Sequence, residues 1–530
     1  TRWPENAAEY FVRGGSFNEY TQDKENKLLD FYLNYTKDIT GAYSRVDFTA
    51  GYSYQDFFND APTFPTFNLE GDVISPPGVP VKWQYTLISF FGRLNYTFKD
   101  RYLLTATFRR DGTSRFSPDN RWGNFPAIAL AWRLNEEPFL RESKVFSDLK
   151  LRLGYGITGQ QDIGDDAYPY LARYTPGDEG AQYQLGDQFY RTLRPEGYVE
   201  DIKWEETETY NAGIDFGFLN NRITGSVDYY YRETKDLLNS IPFAAGTNLR
   251  NELVTNVGSL ENRGVEFNLN FAAISTEKVT WDLGFNGTFN ENKITKLNRV
   301  EDPNYRGIET GSIAGGTGNT VQIHSVGYPA YSFFVYKQVY DENGRPIEGL
   351  YADLNNDGII NEQDKYRYKS PDPDFFFGFN STLNYDRWSL GLTLRGSLGN
   401  YMYNNVSSNA GAYRAFSFSN YLSNVHASVL ETNFNDFQLF SNYYIENASF
   451  LRAENISLGY NFGRLFNDKV GLRLSAVMQN AFVITDYSGL DPESQFSFGN
   501  LPTDVNKGGG IDRNFYPRPR IFSLGVNIDI

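Results

Sequence analysis

The sequence predicts an all-β protein whose long antiparallel strands form a transmembrane barrel. Three observations predict this fold: apolar and polar residues alternate along many segments, these segments are unusually long, and short and long connections alternate along the chain. Globular strands usually contain about 5–6 residues, whereas strands that cross an outer membrane contain about 9–11. The composition agrees with alternation, because 17% of the residues are aromatic and the mean hydropathy is nevertheless −0.51.

Alternation is clearest where whole segments have one apolar and one polar face. The segment LKLRLGYGIT at 149–158 places leucine, tyrosine and isoleucine on one face and lysine, arginine, glycine and threonine on the other, as a period of two requires. The segments GVEFNLNF at 264–271 and IFSLGVNIDI at 521–530 repeat the pattern. The predicted strands cover 26–38, 41–58, 86–98, 101–111, 125–135, 148–159, 206–219, 222–236, 260–273, 279–292, 374–385, 388–399, 447–462, 470–483 and 519–530.

The connections between these fifteen segments predict which ends of the strands meet. Short connections alternate with long ones near 59–85, 112–124, 160–205, 237–259, 293–373, 400–446 and 484–518. A multi-domain β-sandwich protein gives no reason for this order, whereas an outer-membrane barrel has short periplasmic turns and long extracellular loops. Bacterial barrels of this kind have an even number of strands, and the first segment here starts from the long-loop side. We therefore expect residues 1–530 to be one transmembrane domain, the C-terminal part of a larger barrel.

Composition excludes several classes of function. The chain has no cysteine, only the histidines His324 and His426, and a net charge of −16. Thiolate sites and nucleic acid partners are therefore excluded, and histidine-based catalysis has almost no residues to use. No apolar run approaches the ~18 residues of a membrane-spanning helix. Adjacent carboxylates are interpreted as solvated turns rather than a glycosidase pair, so we predict no enzymatic activity; they are Glu136–Glu137, Asp165–Asp166 and Glu205–Glu206.

The stretch DLNNDGIINEQD at 353–364 is similar to a calcium-binding loop. Its oxygen-bearing residues occupy loop positions 1, 3, 5, 9 and 12, a glycine occupies position 6 where the chain turns sharply, and position 7 offers a backbone carbonyl. The alternative is a turn that is merely polar. Position 12 is an aspartate, one methylene shorter than the usual glutamate. The predicted ligands of a structural Ca²⁺ on the extracellular side are Asp353, Asn355, Asp357, Ile359 through its carbonyl, Asn361 and Asp364.

Several stretches resemble signature segments of one family of transporters. They are RYLLTATFRRDGTSRFSPDNRWGNFPAIALAWRL (101–134), IKWEETETYNAGIDFGFLNNRITGSVDYYYRETKDLL (202–238), NVGSLENRGVEFNLNF (256–271), DLNNDGIINEQDKYRYKSPDPDFFFGFN (353–380), LRAENISLGYNF (451–462), YSGLDPES (487–494) and FYPRPRIFSLGVNI (515–528). Together they resemble the SusC/RagA group of TonB-dependent outer-membrane transporters, known from Bacteroidetes. The stretches occur in the order of the family and at plausible intervals over most of the chain, which makes the resemblance specific.

The resemblance implies a 22-stranded barrel in the bacterial outer membrane, closed by an N-terminal plug. The fifteen segments would be its last strands, and the plug and about seven strands would lie upstream, outside this chain. The resemblance further implies active import of large nutrients, either oligosaccharides or peptides, with energy from a TonB–ExbB–ExbD complex. A SusD-like surface lipoprotein is the expected lid over the extracellular mouth.

The sequence leaves two other classes of function open. A passive porin or a secretion-related barrel would lack a plug and a TonB contact, and a surface adhesin or glycan-binding β-protein would be soluble without detergent. The aromatic-rich loop at 168–198 is consistent with stacking on sugar rings, with packing on itself, or with contact to a lid protein.

Overall fold

The computed structural model describes residues 2–4, 14–78, 80–163, 167–177, 180–242, 246, 249, 252–298, 305–315, 318–416, 424–466, 469–493 and 509–529. Its largest element is a sheet of fifteen strands, in which each strand pairs antiparallel with the next one along the chain. The strands are β1 (Asp23–Ile39), β2 (Ser44–Ala61), β3 (Val81–Phe98), β4 (Tyr102–Thr113), β5 (Trp122–Arg133), β6 (Phe146–Gln160), β7 (Glu205–Phe218), β8 (Ile223–Lys235), β9 (Ser259–Ser275), β10 (Val279–Lys296), β11 (Phe375–Tyr385), β12 (Trp388–Leu398), β13 (Phe450–Leu465), β14 (Val470–Thr485) and β15 (Ile521–Asp529).

Each of the fifteen predicted segments overlaps one of these strands. The differences lie at the ends, mostly on the long-loop side. Strand β3 begins at Val81, five residues before the predicted start. Its first residues continue the hydrogen-bonded ladder with β2, although VKWQY places its apolar residues on the face that is polar further along the strand. Hydrogen bonding to a neighbouring strand therefore extends strands beyond the reach of the hydrophobic pattern.

The sheet has one apolar and one polar face. Rows of cross-strand partners run across it, and one such row on the apolar face joins Phe48, Leu94, Ala106 and Ile128. Phe48 and Ile128 are 44% and 46% exposed, which is unfavourable in water and favourable against lipid. The next row, on the polar face, joins Thr49, Arg93, Thr107 and Ala127.

Aromatic rings collect at the short-turn end of the apolar face. The centroid of Tyr102 lies 6.1 Å from that of Phe98 and 6.2 Å from that of Trp132. Further along the sheet, Trp388 and Tyr460 are 4.6 Å apart. Amphipathic rings at this level are typical of the interface between lipid and water. The distribution predicts that the membrane boundary follows the line of short turns.

The long connections fold into compact modules rather than open loops. We call the described residues of 114–121, 161–204 and 236–258 the small loop module, and those of 305–374, 399–449 and 509–514 the large loop module. The small module contains the hairpins Tyr174–Pro176 with Leu193–Pro195, Gln182–Leu185 with Gln188–Arg191, and Leu238–Pro242 with Glu252–Asn256. Its core consists of Phe116, Phe125, Ile163, Val199, Ile202, Trp204 and Leu238.

The large loop module contains three small sheets and two short helices. Its strands are Ile308–Ser312, Thr320–His324, Ser332–Val335 and Tyr366–Arg367 in one sheet, Gln338–Tyr340 and Pro346–Tyr351 in a hairpin, and Tyr401–Asn404, Ile445–Asn447 and Ile511–Asp512 in the third. The helices are α1 (Asn405–Ala410) and α2 (Val429–Thr432). A further small sheet joins Arg2–Trp3, Ser16–Phe17, Thr66–Phe67 and Val73–Ser75. In the described part of the chain, no helix is long and apolar enough to cross a membrane.

The two outer strands of the fifteen-stranded sheet have one open edge each. Among the described residues, β1 pairs only with β2, and β15 pairs only with β14. Every residue of β1 is exposed. An open edge leaves backbone N–H and C=O groups without partners, which a lipid environment does not tolerate.

Candidate functional site

The large loop module has its own core. Val321, Phe333 and Val335 are completely buried, and they pack with the phenol ring of Tyr403 and with Ile511. These residues come from connections far apart in the chain. Tyr403, for example, pairs in parallel register with Ile511. Burial raises the pKa of the Tyr403 hydroxyl. The predicted calcium-like loop is part of this module, so the module determines how the loop is presented.

The calcium-like loop has the turn geometry that its sequence predicts. Gly358 has a φ of +81°, a conformation that glycine adopts without strain. Its backbone N–H donates to Asp353 Oδ2 at 2.8 Å. The side chains at positions 3 and 5 also organise the backbone, since Asn355 Oδ1 accepts from Asp357 N at 3.0 Å and Asp357 Oδ1 accepts from Ile359 N at 2.8 Å.

Asp364, at position 12, closes the loop. Its Oδ1 accepts from Leu354 N and its Oδ2 accepts from Asn361 N, both at 2.9 Å. The side chain is completely buried. Hydrogen bonds from the Asn361 backbone and then from the Leu354 and Asn355 backbones hold the pKa of Asp364 below its usual range, against the opposing effect of burial. The carboxylate is therefore ionised and ties the start of the loop to its end.

The fit of the loop to a metal ion is partial. Asp353 Oδ1 is inaccessible to solvent and has no hydrogen-bond partner, which is unfavourable for a carboxylate oxygen and would be relieved by a cation. However, within the described ranges no group of three or more His, Cys, Asp or Glu side chains is arranged to hold a metal. Both oxygens of Asp364 are used by backbone donors. The six predicted Ca²⁺ ligands stay a prediction.

The residue after the loop anchors it to the module core. Lys365 is only 5% exposed at its side chain, and its ammonium lies 4.5 Å from the ring centroid of Phe440 and 5.6 Å from that of Tyr336. The ammonium also pairs with Glu362 at 2.7 Å. A buried cation over aromatic faces is a strong attachment, so the orientation of the loop is fixed relative to the core.

Two arginines face each other on the polar face, beneath the large loop module. Arg395 of β12 and Arg452 of β13 are direct cross-strand partners, an arrangement of like charges that is destabilising on its own. The register shifts next to this pair, where Glu454 forms a bulge in β13 and Asn480 of β14 has a φ of +52°. The bulges bring polar side chains close to the two guanidinium groups.

Acidic residues of β13 and of the segment after β14 neutralise the arginine pair. Arg395 Nη2 lies 2.6 Å from Glu454 Oε1 and 2.7 Å from Glu493 Oε2. Arg452, which is 1% exposed, lies 2.6 Å from Asp491 Oδ1 and 3.1 Å from Glu493 Oε2. We call these five residues, together with Arg518 at 3.6 Å from Glu493 Oε1, the ion-pair cluster. It attaches the segment after β14 to the wall of the sheet.

The charged residues of this cluster are visible in the sequence, but the alternation of apolar and polar residues does not indicate that they meet. The stretches LRAENISLGYNF, YSGLDPES and FYPRPRIFSLGVNI supply five of its six members, and WSLGLTLRG supplies Arg395. The four stretches lie far apart along the chain. Their charged residues meet only in three dimensions, because the loop returns over the polar face.

Within the described residues, the carboxylate pairs Glu136–Glu137 and Glu205–Glu206 belong to no group of three or more His, Cys, Asp or Glu side chains arranged to hold a metal. The interpretation of Glu137 as a solvated turn residue is wrong, since it is 7% exposed and accepts from Tyr102 Oη at 2.6 Å and from Trp132 Nε1 at 3.1 Å. Glu205 accepts from Leu238 N at 3.0 Å. Asp165 and Asp166 lie outside the described residues.

The aromatic-rich loop at 168–198 carries an exposed hairpin. The two strands Gln182–Leu185 and Gln188–Arg191 are exposed along their whole length. Tyr183 and Phe189 are 62% and 64% exposed. The packing of this hairpin on itself therefore leaves its aromatic rings in contact with solvent, and a surface of this kind is typical of a binding site for another molecule.

Comparison with known proteins places these features in a family. The model of the family "TonB dependent receptor-like, beta-barrel" matches residues 2–345, which is more than half of the chain. The chain is 45% identical, over 96% of its length, to the TonB-dependent receptor SusC of Bacteroides thetaiotaomicron and covers 50% of that protein. It is 32% identical to the TonB-dependent receptor P3 of Formosa agariphila, over 98% of the chain and 53% of that protein. The chain thus spans about half the length of the curated relatives it matches.

Solved structures agree on the fold. The structure of the RagAB peptide transporter superposes with a TM-score of 0.75 at 23% identity, over 97% of this chain and 56% of that one. The open-open state of the RagAB peptide importer gives a TM-score of 0.77 at 22% identity, over 97% and 55%. The resemblance to the SusC/RagA group and the predicted barrel fold are both confirmed. The chain belongs to the TonB-dependent receptor-like β-barrel family and is a bacterial outer-membrane β-barrel protein.

Proposed function

We propose that this chain forms the barrel wall of a transporter that imports large nutrients, oligosaccharides or peptides, with energy supplied through TonB. The observation that carries the proposal is the fifteen-stranded antiparallel wall with an apolar outer and a polar inner face, in a chain 45% identical to a TonB-dependent receptor. A polar lumen gives hydrophilic nutrients a path through lipid. The experiment is uptake of labelled oligosaccharides and peptides by cells that carry the whole transporter, with and without TonB.

The open edges of the sheet support a larger barrel. The unpaired edges of β1 and β15 would be covered if about seven further strands closed the wall, as in a 22-stranded barrel, with a plug inside it. Closed barrels migrate differently on a denaturing gel before and after heating. We expect this heat-modifiable migration for the whole protein, and unchanged mobility would favour a soluble adhesin or glycan-binding protein instead.

A passive porin or secretion-related barrel is the other candidate. Its wall would have the same alternating faces, so the wall does not distinguish the two. Energy coupling does: import by a passive barrel continues without TonB and stops at the external concentration. The family match to TonB-dependent receptors favours active import.

A SusD-like surface lipoprotein is the proposed partner on the long-loop side. The exposed hairpin at 182–191 supports this part of the proposal, because Tyr183 and Phe189 offer exposed aromatic area on its two faces. We expect Phe189→Ala to reduce co-purification of the lipoprotein with the whole transporter. Phe466→Ala is the matched control, since Phe466 is 77% exposed in a short turn at the opposite end of the wall. Equal recovery of the lipoprotein with both variants would exclude the hairpin as the contact.

We further propose that the calcium-like loop binds one structural Ca²⁺ that stiffens the large loop module. The unpartnered oxygen of Asp353 supports this part of the proposal. In calorimetric titration of the whole transporter, the double variant Asp353→Ala, Asp357→Ala should bind one Ca²⁺ fewer than the parent protein. Asp341→Ala is the control, because Asp341 forms a similar turn by accepting from Asn343 N and Arg345 N. An unchanged number of bound ions in the double variant would refute the site.

A further inference from the structure

A cavity of about 470 Å³ lies where the polar face of β10, β11 and β12 meets the large loop module. The wall contributes Asn286, Phe376, Asn380 and Thr393, and the loop contributes Asp372. The cavity opens toward the lumen of the barrel, since the residues that the wall contributes belong to the polar face. None of the residues of the calcium-like loop line it, so it is a separate feature.

Phe376 is out of place on this face. Alternation puts it on the same side of β11 as Asn380 and Asn384, and its cross-strand partner on β12 is Ser397. The ring is nevertheless 44% exposed. A large apolar group exposed among polar neighbours is informative in a way that an exposed leucine on the lipid side is not. Its position indicates contact with a ligand that has an apolar surface.

Hydrogen-bonding groups lie along the same face as the exposed ring, since Asn286 is the cross-strand partner of Gly378 and Thr393 that of Asn380. The side chains of Asn286, Asn380 and Thr393 form no hydrogen bond with any other described residue, and each can both donate and accept. Gly378 lies between them, and a Cβ atom there would come within 2.6 Å of Asn286 Oδ1. The missing side chain therefore keeps the floor of the cavity open and the amide accessible.

The charge in the cavity argues against a charged ligand. The guanidinium of Arg395 is committed to two carboxylates, donating to Glu454 Oε1 through Nε and Nη2, and to Glu493 through Nη1 and Nη2. It is therefore unavailable to the carboxyl end of a peptide. Burial raises the pKa of the Asp372 carboxyl, and hydroxyl donors would solvate that group without adding charge. The lining suits a neutral ligand that has an apolar face and several hydroxyls.

We infer that this cavity is a saccharide subsite on the barrel wall, in which one ring of an oligosaccharide stacks on Phe376 and hydroxyls of that ring and the next bond to Asn286, Asn380 and Thr393. A pyranose ring has C–H groups on its faces and hydroxyls around its edge, and an oligosaccharide therefore matches an aromatic ring followed along the same face by amide and hydroxyl groups. The inference rests on the proposed import function and goes further by naming the ligand class and the residues that hold it.

The test is calorimetric titration of the whole transporter in detergent. The probes are neutral heptasaccharides of α-glucan, β-glucan, xylan, mannan and fructan, with hexa-alanine as the peptide probe. For the heptasaccharide that binds, we expect Phe376→Ala to raise the Kd about tenfold, the effect of losing an aromatic stack, and Asn380→Ala to raise it by a similar factor. Phe91→Ala is the matched control: it removes the same ring from the polar face of β3, where Arg109 lies 5.8 Å from the ring centroid, and should leave the Kd within twofold.

The outcomes separate the subsite from the import function. If a heptasaccharide binds and is taken up by cells, but Phe376→Ala and Asn380→Ala bind it as tightly as the parent, the subsite is wrong and the import function stands. If only hexa-alanine binds, and Phe376→Ala weakens that binding, the cavity is a peptide site and the saccharide inference is overturned. If no probe binds and none enters cells in a TonB-dependent way, the proposed function fails together with the subsite. Heat-modifiable migration of each variant establishes that it is folded.

Discussion

Replacing Arg452 with methionine tests the ion-pair cluster most sharply. Arg452 is 1% exposed, its Nη2 lies 2.6 Å from Asp491 Oδ1, and its Nη1 donates to Asn480 Oδ1 at 2.6 Å. Methionine keeps most of the volume and removes the charge. Asp491 then lies at a largely buried position without its cation, which is the costly half of a broken buried pair.

The expected magnitude follows from what each partner keeps. Removing one member of a buried ion pair costs about 3–5 kcal/mol. Glu493 keeps Arg395 at 2.7 Å, and the unfavourable pairing of Arg395 with Arg452 disappears. Both effects place the loss of free energy at the lower end of this range. We expect local opening of the segment after β14 to become easier by about 3 kcal/mol. This free energy corresponds to about 100-fold faster amide exchange, since every 1.4 kcal/mol is a factor of ten.

Hydrogen exchange of the whole transporter, read by mass spectrometry, measures this directly. The reporting peptide is 486–493, in which Glu493 N donates to Asp491 Oδ1 at 3.0 Å. The matched control is Arg414→Met, because Arg414 pairs with Asp436 while both side chains are 54% exposed. Such an exposed pair contributes about 0–1 kcal/mol, so exchange near it should change at most about fivefold. Exchange of 486–493 in Arg452→Met within fivefold of the parent would refute the attachment.

Two further predictions concern close packing and a buried histidine. Gly264→Ala should destabilise the wall by about 1–3 kcal/mol, because a Cβ there would meet Tyr230 Oη at 2.5 Å and Phe289 O at 2.3 Å. The variant should therefore show the heat-induced gel shift at a lower temperature. An unchanged transition temperature would show that the Tyr230 ring and the neighbouring backbone move aside freely. Burial lowers the pKa of His324 to about 4, so the unfolded chain binds the proton first and the large loop module should lose up to about 3 kcal/mol as the pH falls from about 6.5 to 4. After correction for the slower intrinsic exchange of amides at lower pH, the protection of peptide 320–335 should fall over that range in the parent and not in His324→Phe; an equal fall in both would assign the effect to another group.

The wall was predictable because lipid imposes a simple rule on every strand. Each residue of a spanning strand faces either lipid or water, so the sequence alternates over the whole strand, and the segment at 149–158 displays the pattern without tertiary information. The ends were less predictable, as with Val81, because the hydrogen-bonded ladder continues where the apolar residues change to the other face of the strand. The rule applies to the wall alone.

The loop modules and the ion-pair cluster follow from contacts between distant parts of the chain. Nothing near Ile511 in the sequence indicates that it pairs in parallel with Tyr403, and no local pattern states that Asp491 returns to Arg452. The calcium-like loop lies between these cases. Its turn is local, so Gly358 has the positive φ that position 6 predicts, whereas the complete engagement of Asp364 by backbone donors depends on how the loop closes.

Energy-coupled uptake by this protein can be measured in cells. Cells that carry the whole transporter are given labelled oligosaccharides and peptides, and the accumulated label is compared between TonB-containing cells, TonB-deficient cells and cells lacking the transporter. We predict accumulation above the external concentration only in the first strain, and for at least one of the two nutrient classes. Equal uptake with and without TonB, or equal uptake with and without the transporter, would contradict the account.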